Sequence, residues 1–148
     1  MAHGADQEFL CAASDHHLGT IEMADAALAL HRSDASAAVR AKADEIPRSP
    51  HAEARQLAGM LERNVGPRYQ PAVTPENQHV VERVRQARGA AVDRTLHGTT
   101  IAHHEEGARL MGKQLPKLTE PDVRRVAEQT RGDQQREIGE QSLPLAAA

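Results

Sequence analysis

The stretch DHHLGTIEMAD at residues 15–25 is echoed by AHHEEGARLMGK at residues 102–113. A histidine pair, a glycine and a methionine follow in the same order in both. Each copy sits where apolar residues recur every three to four positions, the period of one helix face. Histidines carried on the apolar side of two helices restrict the fold sharply. An imidazole buried without a partner is costly, so these helices must meet each other or other polar groups.

The repetition extends beyond the histidines. Asp6, Phe9, His16 and His17 align with Asp93, Leu96, His103 and His104 without gaps. Val39, Arg40, Ala43 and Glu53 align with Val123, Arg124, Ala127 and Glu137. Gly19 and Met23 match Gly107 and Met111 after a shift of one residue. Two similar helical hairpins are therefore expected, at about 5–62 and 90–141, joined by a linker at about 63–89. The spacing suggests an all-α four-helix bundle, one domain over residues 1–148, with pseudo-twofold symmetry.

Local signals place the elements. The first helix is predicted over roughly 5–31, followed by RSDAS with Ser33 or Asp34 as N-cap. The second starts near Ala35 and runs toward Leu61. Pro47 and Pro50 should kink or break it between Ile46 and His51. Ser49 before Pro50 reads as a fresh N-cap. Thr74 and Pro75 open a short helix, and Gly89 should interrupt the chain before a third long helix at about 90–115. Thr119, with Asp122 three residues on, is the expected start of a fourth helix from Glu120 to about Gln141. The closing SLPLAAA reads as a frayed tail.

Composition removes several function classes. A net charge of −3 gives no electrostatic case for nucleic acid or an anionic membrane. Phe9 and Tyr69 are the only aromatics, so base-stacking platforms and aromatic cages are not expected. Cys11 is the only cysteine, which rules out an intrachain disulfide and multi-cysteine metal sites. It reads as a small buried hydrophobe. No apolar stretch reaches membrane-spanning length, and MAHGADQEFL lacks a basic region followed by an apolar run. The expectation is either a cytoplasmic protein or a processed or trimmed chain.

On a helical wheel, His16 and His17 straddle the centre of an apolar side formed by Phe9, Leu10, Ala13, Ile21, Met23, Ala24 and Leu28. Asp15, Glu22 and Ser14 fall opposite. His103 and His104 straddle the apolar side of Leu96, Ile101, Leu110, Met111 and Leu115. The inward row of the second helix is Val39, Ile46, Glu53 and Met60. That of the fourth is Val123, Thr130 and Glu137, with Gln134 one turn before the glutamate. Antiparallel folding then sets His17 near the level of Glu53, and His104 near Gln134 and Glu137. The candidate site is this polar layer: His16, His17, Glu53, His103, His104, Gln134 and Glu137.

Such a layer can bind a metal, or it can be a hydrogen-bond network that fixes the bundle's register. Met23 and Met111 lie about two turns away, roughly 10 Å along the axis, and read as core filling. The Glu76-x-x-His79 pair occurs once, whereas di-metal carboxylate chemistry needs two inward copies, so His79 reads as a surface residue. His3, His31 and His51 have no matched partner in the other half, and Glu105 and Glu106 read as a solvated face. No HExxH, phosphate loop or serine–histidine constellation is present, and a redox enzyme of di-metal type is the weakest of three readings.

The segments DQEFLCAASDHHLGTIEMA and VRAKADEIPRSPHAEA, with GAAVDRTLHGTTIAHHEEGARLM and VRRVAEQTRGDQQREI, resemble the family called domain of unknown function 305. The resemblance covers roughly residues 5–141. It implies a ferritin-like four-helix bundle, usually exported, with some relatives linked to copper binding or resistance and no established enzymatic activity. Carried over by position, the pattern marks His16, His17, Met23, Glu53, His103, His104, Met111, Gln134 and Glu137. The chain departs from the pattern where the family usually has methionines before the histidine pair. Here those places hold Cys11, Ala12 and Ala13, and Thr99 and Thr100. The first half has Pro50 where the family's glutamine stands ahead of the acid, followed by His51. Fewer thioethers weaken the case for Cu(I), while imidazole and carboxylate suit Cu(II) or Zn(II). The expectation is a non-catalytic metal-binding protein that handles copper or another divalent transition metal, outside the cytoplasm. Nucleic-acid binding and membrane insertion are not expected; oligomerisation is open. The alternative is a metal-free structural or protein-interaction bundle.

Overall fold

The computed structural model describes residues 4–31, 49–67 and 69–142. These residues form an all-α fold with no strand among them. The helices are α1 (Gly4–His31), α2 (Ser49–Asn64), α3 (Pro75–Gln86), α4 (Ala90–Gln114) and α5 (Pro121–Ser142), with a 3-10 turn at Leu115–Lys117. The expected cap at Ser33 or Asp34, the row members Val39 and Ile46, Pro47 and the tail from Leu143 lie outside the described residues. α2 opens at Ser49 with Pro50 in its first turn, where a missing N–H removes no helical bond.

α3 begins as its sequence requires: the Thr74 hydroxyl accepts from the Asn77 N–H at 3.2 Å and Pro75 occupies the first turn. Between α3 and α4 the chain turns through Gly89 at φ 55, a left-handed conformation that a Cβ would strain.

Two apolar clusters lie along the interior. One joins Phe9, Leu10 and Ala13 of α1 to Leu57, Met60 and Leu61 of α2, Met111 of α4, and Leu118, Val123, Val126 and Ala127 at and within α5. The other joins Met23 and Ala26 of α1 to Val81 and Val84 of α3 and Val92 and Leu96 of α4. Phe9, Leu10 and Leu57 are fully enclosed, and burying each contributes roughly 1.5–3 kcal/mol. The region read from sequence as a linker thus supplies core residues. Val81 and Val84 are three apart and present one buried edge of α3, whose remaining positions are mostly exposed. Ser14 also departs from its expected outward place: it is buried on α1.

Polar ties fix the ends of the helices. The Gln7 amide donates to the carbonyl of Asn64 at 2.8 Å, joining α1 to the end of α2. Asp15 accepts from the Ala72 N–H at 2.9 Å and the Tyr69 hydroxyl at 2.6 Å, pinning the segment before α3 against α1. Burial, reinforced by this hydrogen bond, raises the Tyr69 pKa and keeps the hydroxyl a donor.

The start of α5 differs from its sequence reading. Thr119 does not act with Asp122 as a local capping box; its hydroxyl is donated to Asp6 at 2.6 Å, and Asp122 instead pairs with Arg125. Asp6, fully buried, also accepts from the N–H groups of Thr119 at 3.0 Å and Glu120 at 3.2 Å. A carboxylate from α1 therefore caps α5 from outside that helix, and its negative charge complements the positive helix end. Asp6→Ala should cost about 2–3 kcal/mol, since three donors lose a charged acceptor. Asp6→Asn, which keeps one acceptor oxygen, should cost less. Urea unfolding of the two variants checks the order.

Candidate functional site

Between the two apolar clusters, α1 and α4 bring the histidine pairs together. The ring centroids of His16 and His103 are 3.9 Å apart and their planes differ by 4°, so the two imidazoles are stacked face to face. His17 flanks His16 with centroids 6.3 Å apart, and His104 flanks His103 at 6.4 Å. Each outer histidine meets an acid. His17 Nε2 lies 2.5 Å from Glu53 Oε2, and His104 Nε2 lies 3.2 Å from Glu137 Oε2. The order across the bundle is Glu53, His17, His16, His103, His104, Glu137, a palindrome made by two antiparallel helix pairs.

All four imidazoles are buried, whereas Glu53 and Glu137 are half-buried at the two flanks. His17 is held at both nitrogens, because Nδ1 lies 2.9 Å from the Ala13 carbonyl. With Nδ1–H donating there, a proton on the short Nε2–Glu53 contact completes the pairing. His103 Nε2 lies 2.6 Å from the Thr20 hydroxyl, which also donates to the His16 carbonyl at 3.2 Å. With the hydroxyl proton on that carbonyl, His103 Nε2 is the donor. Thr20 was not singled out in the sequence, although it lies one helical turn after His16.

Gln134 is buried and approaches the row over Gly107. A Cβ on Gly107 would stand 2.5 Å from His16 Nε2 and 2.6 Å from Gln134 Nε2, and nearer still to Gln134 Oε1. Only glycine lets both side chains approach this backbone. Gly19 plays a matching part on α1, where a Cβ would meet Asn77 Nδ2 of α3 at 2.6 Å. The glycine in the repeated motif was the signal for both close approaches. It could be read from the sequence as a repeat but not as a contact.

Burial, then the neighbouring charges of His103, His17 and His104, push the His16 pKa down to about 2. Burial, then His104, push His103 down to about 4, partly offset by a hydrogen bond to the His16 backbone. The stacked pair is therefore neutral across the ordinary pH range, the form in which imidazole ligates metals. Among the described residues, however, no three His, Cys, Asp or Glu side chains converge as a ready-made metal cage. The row supplies donors in pairs.

The other candidates stand apart from the row. Met23 and Met111 are buried in opposite apolar clusters. Cys11 is half-buried against the first cluster, and burial, then Asp15, raise its thiol pKa. Glu76 and His79 are exposed, and a groove of about 500 Å³ runs past His79, Glu22 and Arg85, away from the row. Glu106 is held by Arg109 at 2.6 Å on the exposed face, and this lowers its pKa.

The depressed histidines set the sign of the pH dependence. As pH falls below their ordinary value of 6.5, the unfolded chain takes up protons that the native stack refuses. Their contribution is complete above about pH 6.5 and is lost toward pH 4 for His103 and further down for His16. The loss is about 1.4 kcal/mol per pH unit for each histidine within its window. Urea midpoints should drop steadily from pH 7 to pH 4.5. A His16→Leu/His103→Leu variant should show a flatter acid limb.

Comparison with known proteins agrees with this architecture. The chain is similar to a crystal structure of a DUF305 fragment from Deinococcus radiodurans, with a TM-score of 0.80 and 23% identity over 95% of this chain and 94% of that one. It is also similar in fold to CopM in the Cu(I)-bound form, at TM-score 0.74 and 20% identity over 92% of this chain and 91% of that chain. The Cu(II)-bound form of CopM gives a TM-score of 0.72 and 17% identity over 92% of each chain. No curated protein matches the sequence. No helix among the described residues is long and apolar enough to cross a membrane. The family model described as domain of unknown function (DUF305) matches residues 6–142, and the chain belongs to that family.

Proposed function

We propose that the chain is a non-catalytic metal-binding protein that handles copper, with the buried row of His16, His17, His103, His104, Glu53, Glu137 and Gln134 as its ligand source. The observation that carries this reading is a neutral, stacked imidazole pair in the interior, with a ring nitrogen of His16 that has no hydrogen-bond partner among the described residues. A buried polar atom without a partner is destabilising, and an ion of suitable softness would satisfy it. The copper-bound structures of CopM, alike in fold, add support.

The donor set favours a particular ion. Imidazole, carboxylate and amide suit Cu(II) or Zn(II). Met23, Met60 and Met111 are buried in the apolar clusters and bring no thioether to the row, which disfavours Cu(I). The palindromic row also supports the reading of one domain with two matched halves. The family resemblance favours a setting outside the cytoplasm for this activity. The second reading, a metal-free structural or protein-interaction bundle, is favoured by His17–Glu53 and His104–Glu137, which already satisfy each other.

Calorimetric titration of tag-free protein with Cu(II) and with Zn(II) separates the two. The wild type should take up metal, and affinity should fall at acid pH as protons compete for the imidazoles. A variant with glutamine at positions 16, 17, 103 and 104 should bind at least a hundredfold more weakly while circular dichroism shows the helices retained. Wild-type uptake no greater than that of the variant would reject metal binding and leave the structural network.

A further inference from the structure

The two stacked imidazoles are equivalent in the repeat and differ in what each one meets. In the gapless register that pairs His16 with His103, Thr20 pairs with Gly107. Each of these lies one helical turn after its histidine. In the folded chain the four residues cross over. His103 Nε2 reaches from α4 to Thr20 of α1, 2.6 Å from its hydroxyl oxygen. His16 Nε2 reaches from α1 to Gly107 of α4, so close that a Cβ there would stand 2.5 Å away. One ring thus finds a hydroxyl where the other finds bare backbone, and His16 Nε2 has no hydrogen-bond partner among the described residues.

The direction of the Thr20 contact follows from its surroundings. A threonine hydroxyl has one proton to give and two lone pairs to offer. In a helix its usual acceptor is a carbonyl one turn back, and Thr20 donates to that of His16 at 3.2 Å. The ring of His103 bonds to the same His16 backbone. A carbonyl can only accept, so the edge of the ring that meets Thr20 and this carbonyl carries the proton. A neutral imidazole bears one N–H, which leaves the lone pair of His103 on Nδ1. Thr99 gives the contrast. It is a buried threonine of α4 whose hydroxyl donates to the Thr95 and Leu96 carbonyls of its own helix.

We propose that Thr20 is a positioning residue of the imidazole row: it holds His103 as the Nε2–H tautomer across the contact between α1 and α4, so that any ligand reaching this ring meets it at Nδ1. Gly107 provides no such hold on His16, and the stacked pair is chemically unequal although the repeat pairs its members. The tautomer rests on geometry alone, and only its bearing on ligation depends on the metal-binding reading above. Thr20 touches the row through a hydrogen bond and is not itself a ligand.

Nitrogen-15 magnetic resonance of metal-free, histidine-labelled protein at neutral pH reads the outcome. Two-bond proton–nitrogen correlations show which ring nitrogen carries the proton, and its exchange with water shows how firmly that proton is held. Thr20→Val removes the hydroxyl at nearly constant shape, Thr20→Ser returns it, and Thr99→Val makes the first change away from the row. The wild type should carry the His103 proton on Nε2. Thr20→Val should speed exchange of that proton roughly fivefold, the ratio given by one hydrogen bond of ordinary net strength, or move the ring to the Nδ1–H form. Thr20→Ser should stay within about twofold of the wild type, and Thr99→Val should leave the His103 signals in place.

Circular dichroism and urea midpoints identify a variant that fails to fold. If Thr20→Val is one, Thr20→Ala, which removes the hydroxyl without adding bulk, takes its place. A wild-type His103 protonated on Nδ1 would make Thr20 the donor and overturn the assignment. Equal exchange in the wild type and Thr20→Val, or equal effects of Thr20→Val and Thr99→Val, would do the same. Metal is absent throughout, so failure here is distinct from a failure of metal uptake in the calorimetry above.

Discussion

The face-to-face burial of His16 and His103 is the contact around which the described helices are arranged. An apolar interior admits imidazoles only if they are neutral and their polar atoms find partners. Neutrality follows from burial and from the company of the other histidines. The remaining requirement draws in Thr20 of α1, Glu53 of α2 and Glu137 of α5, with Gln134 of α5 packed beside them over Gly107. The apolar residues divide accordingly, with one cluster around Phe9 and Leu57 and another around Met23 and Val84. Sliding either helix by about two turns would move a histidine into a cluster and a methionine into the row. The polar layer therefore fixes the axial register of α1 against α4, which close packing of small and aliphatic side chains alone would leave loosely defined.

Much of this arrangement was legible in the residues. The 3.6-residue period located the first, third and fourth helices to within a residue or two, because Gly89, Pro116 and Pro121 punctuate them strongly. The turns expected near residues 34 and 118 made the levels of His17 and Glu53, and of His104 and Glu137, a matter of counting along antiparallel helices. What could not be read was anything dependent on the relative rotation of the two hairpins. The stacking of His16 on His103 is of this kind, as is the approach of Gln134 to Gly107. The burial of Val81 and Val84 was hidden for another reason: α3 is short and polar on most of its surface, and its two-residue apolar edge carries too little periodicity to mark a core element.

Thr119 shows how a sound local signal can be redirected. A threonine with an acid three residues on has the chemistry of a capping box. In the folded chain Asp6 offers a stronger acceptor, because a buried carboxylate can take the hydroxyl and two N–H groups together. Asp122 is then left to pair with Arg125 on the exposed side. Tertiary structure supplied a better partner than the neighbouring sequence, and only the fold brings that partner within reach.

The tie from Asp6 to Thr119 also has a temporal meaning. Residues of α1 leave the ribosome before Thr119, Glu120 and Gln134. Until α5 emerges, the carboxylate of Asp6 and the free nitrogen of His16 have nothing of α5 to meet, so α1 cannot settle into its final place early. Contacts between such distant points in the chain are entropically costly to close and form late. α5, synthesised after the other described helices, thus acts as the latch on α1. A nascent chain that stops short of α5 leaves the Asp6 carboxylate of α1 hydrated, which delays premature collapse around a half-made core.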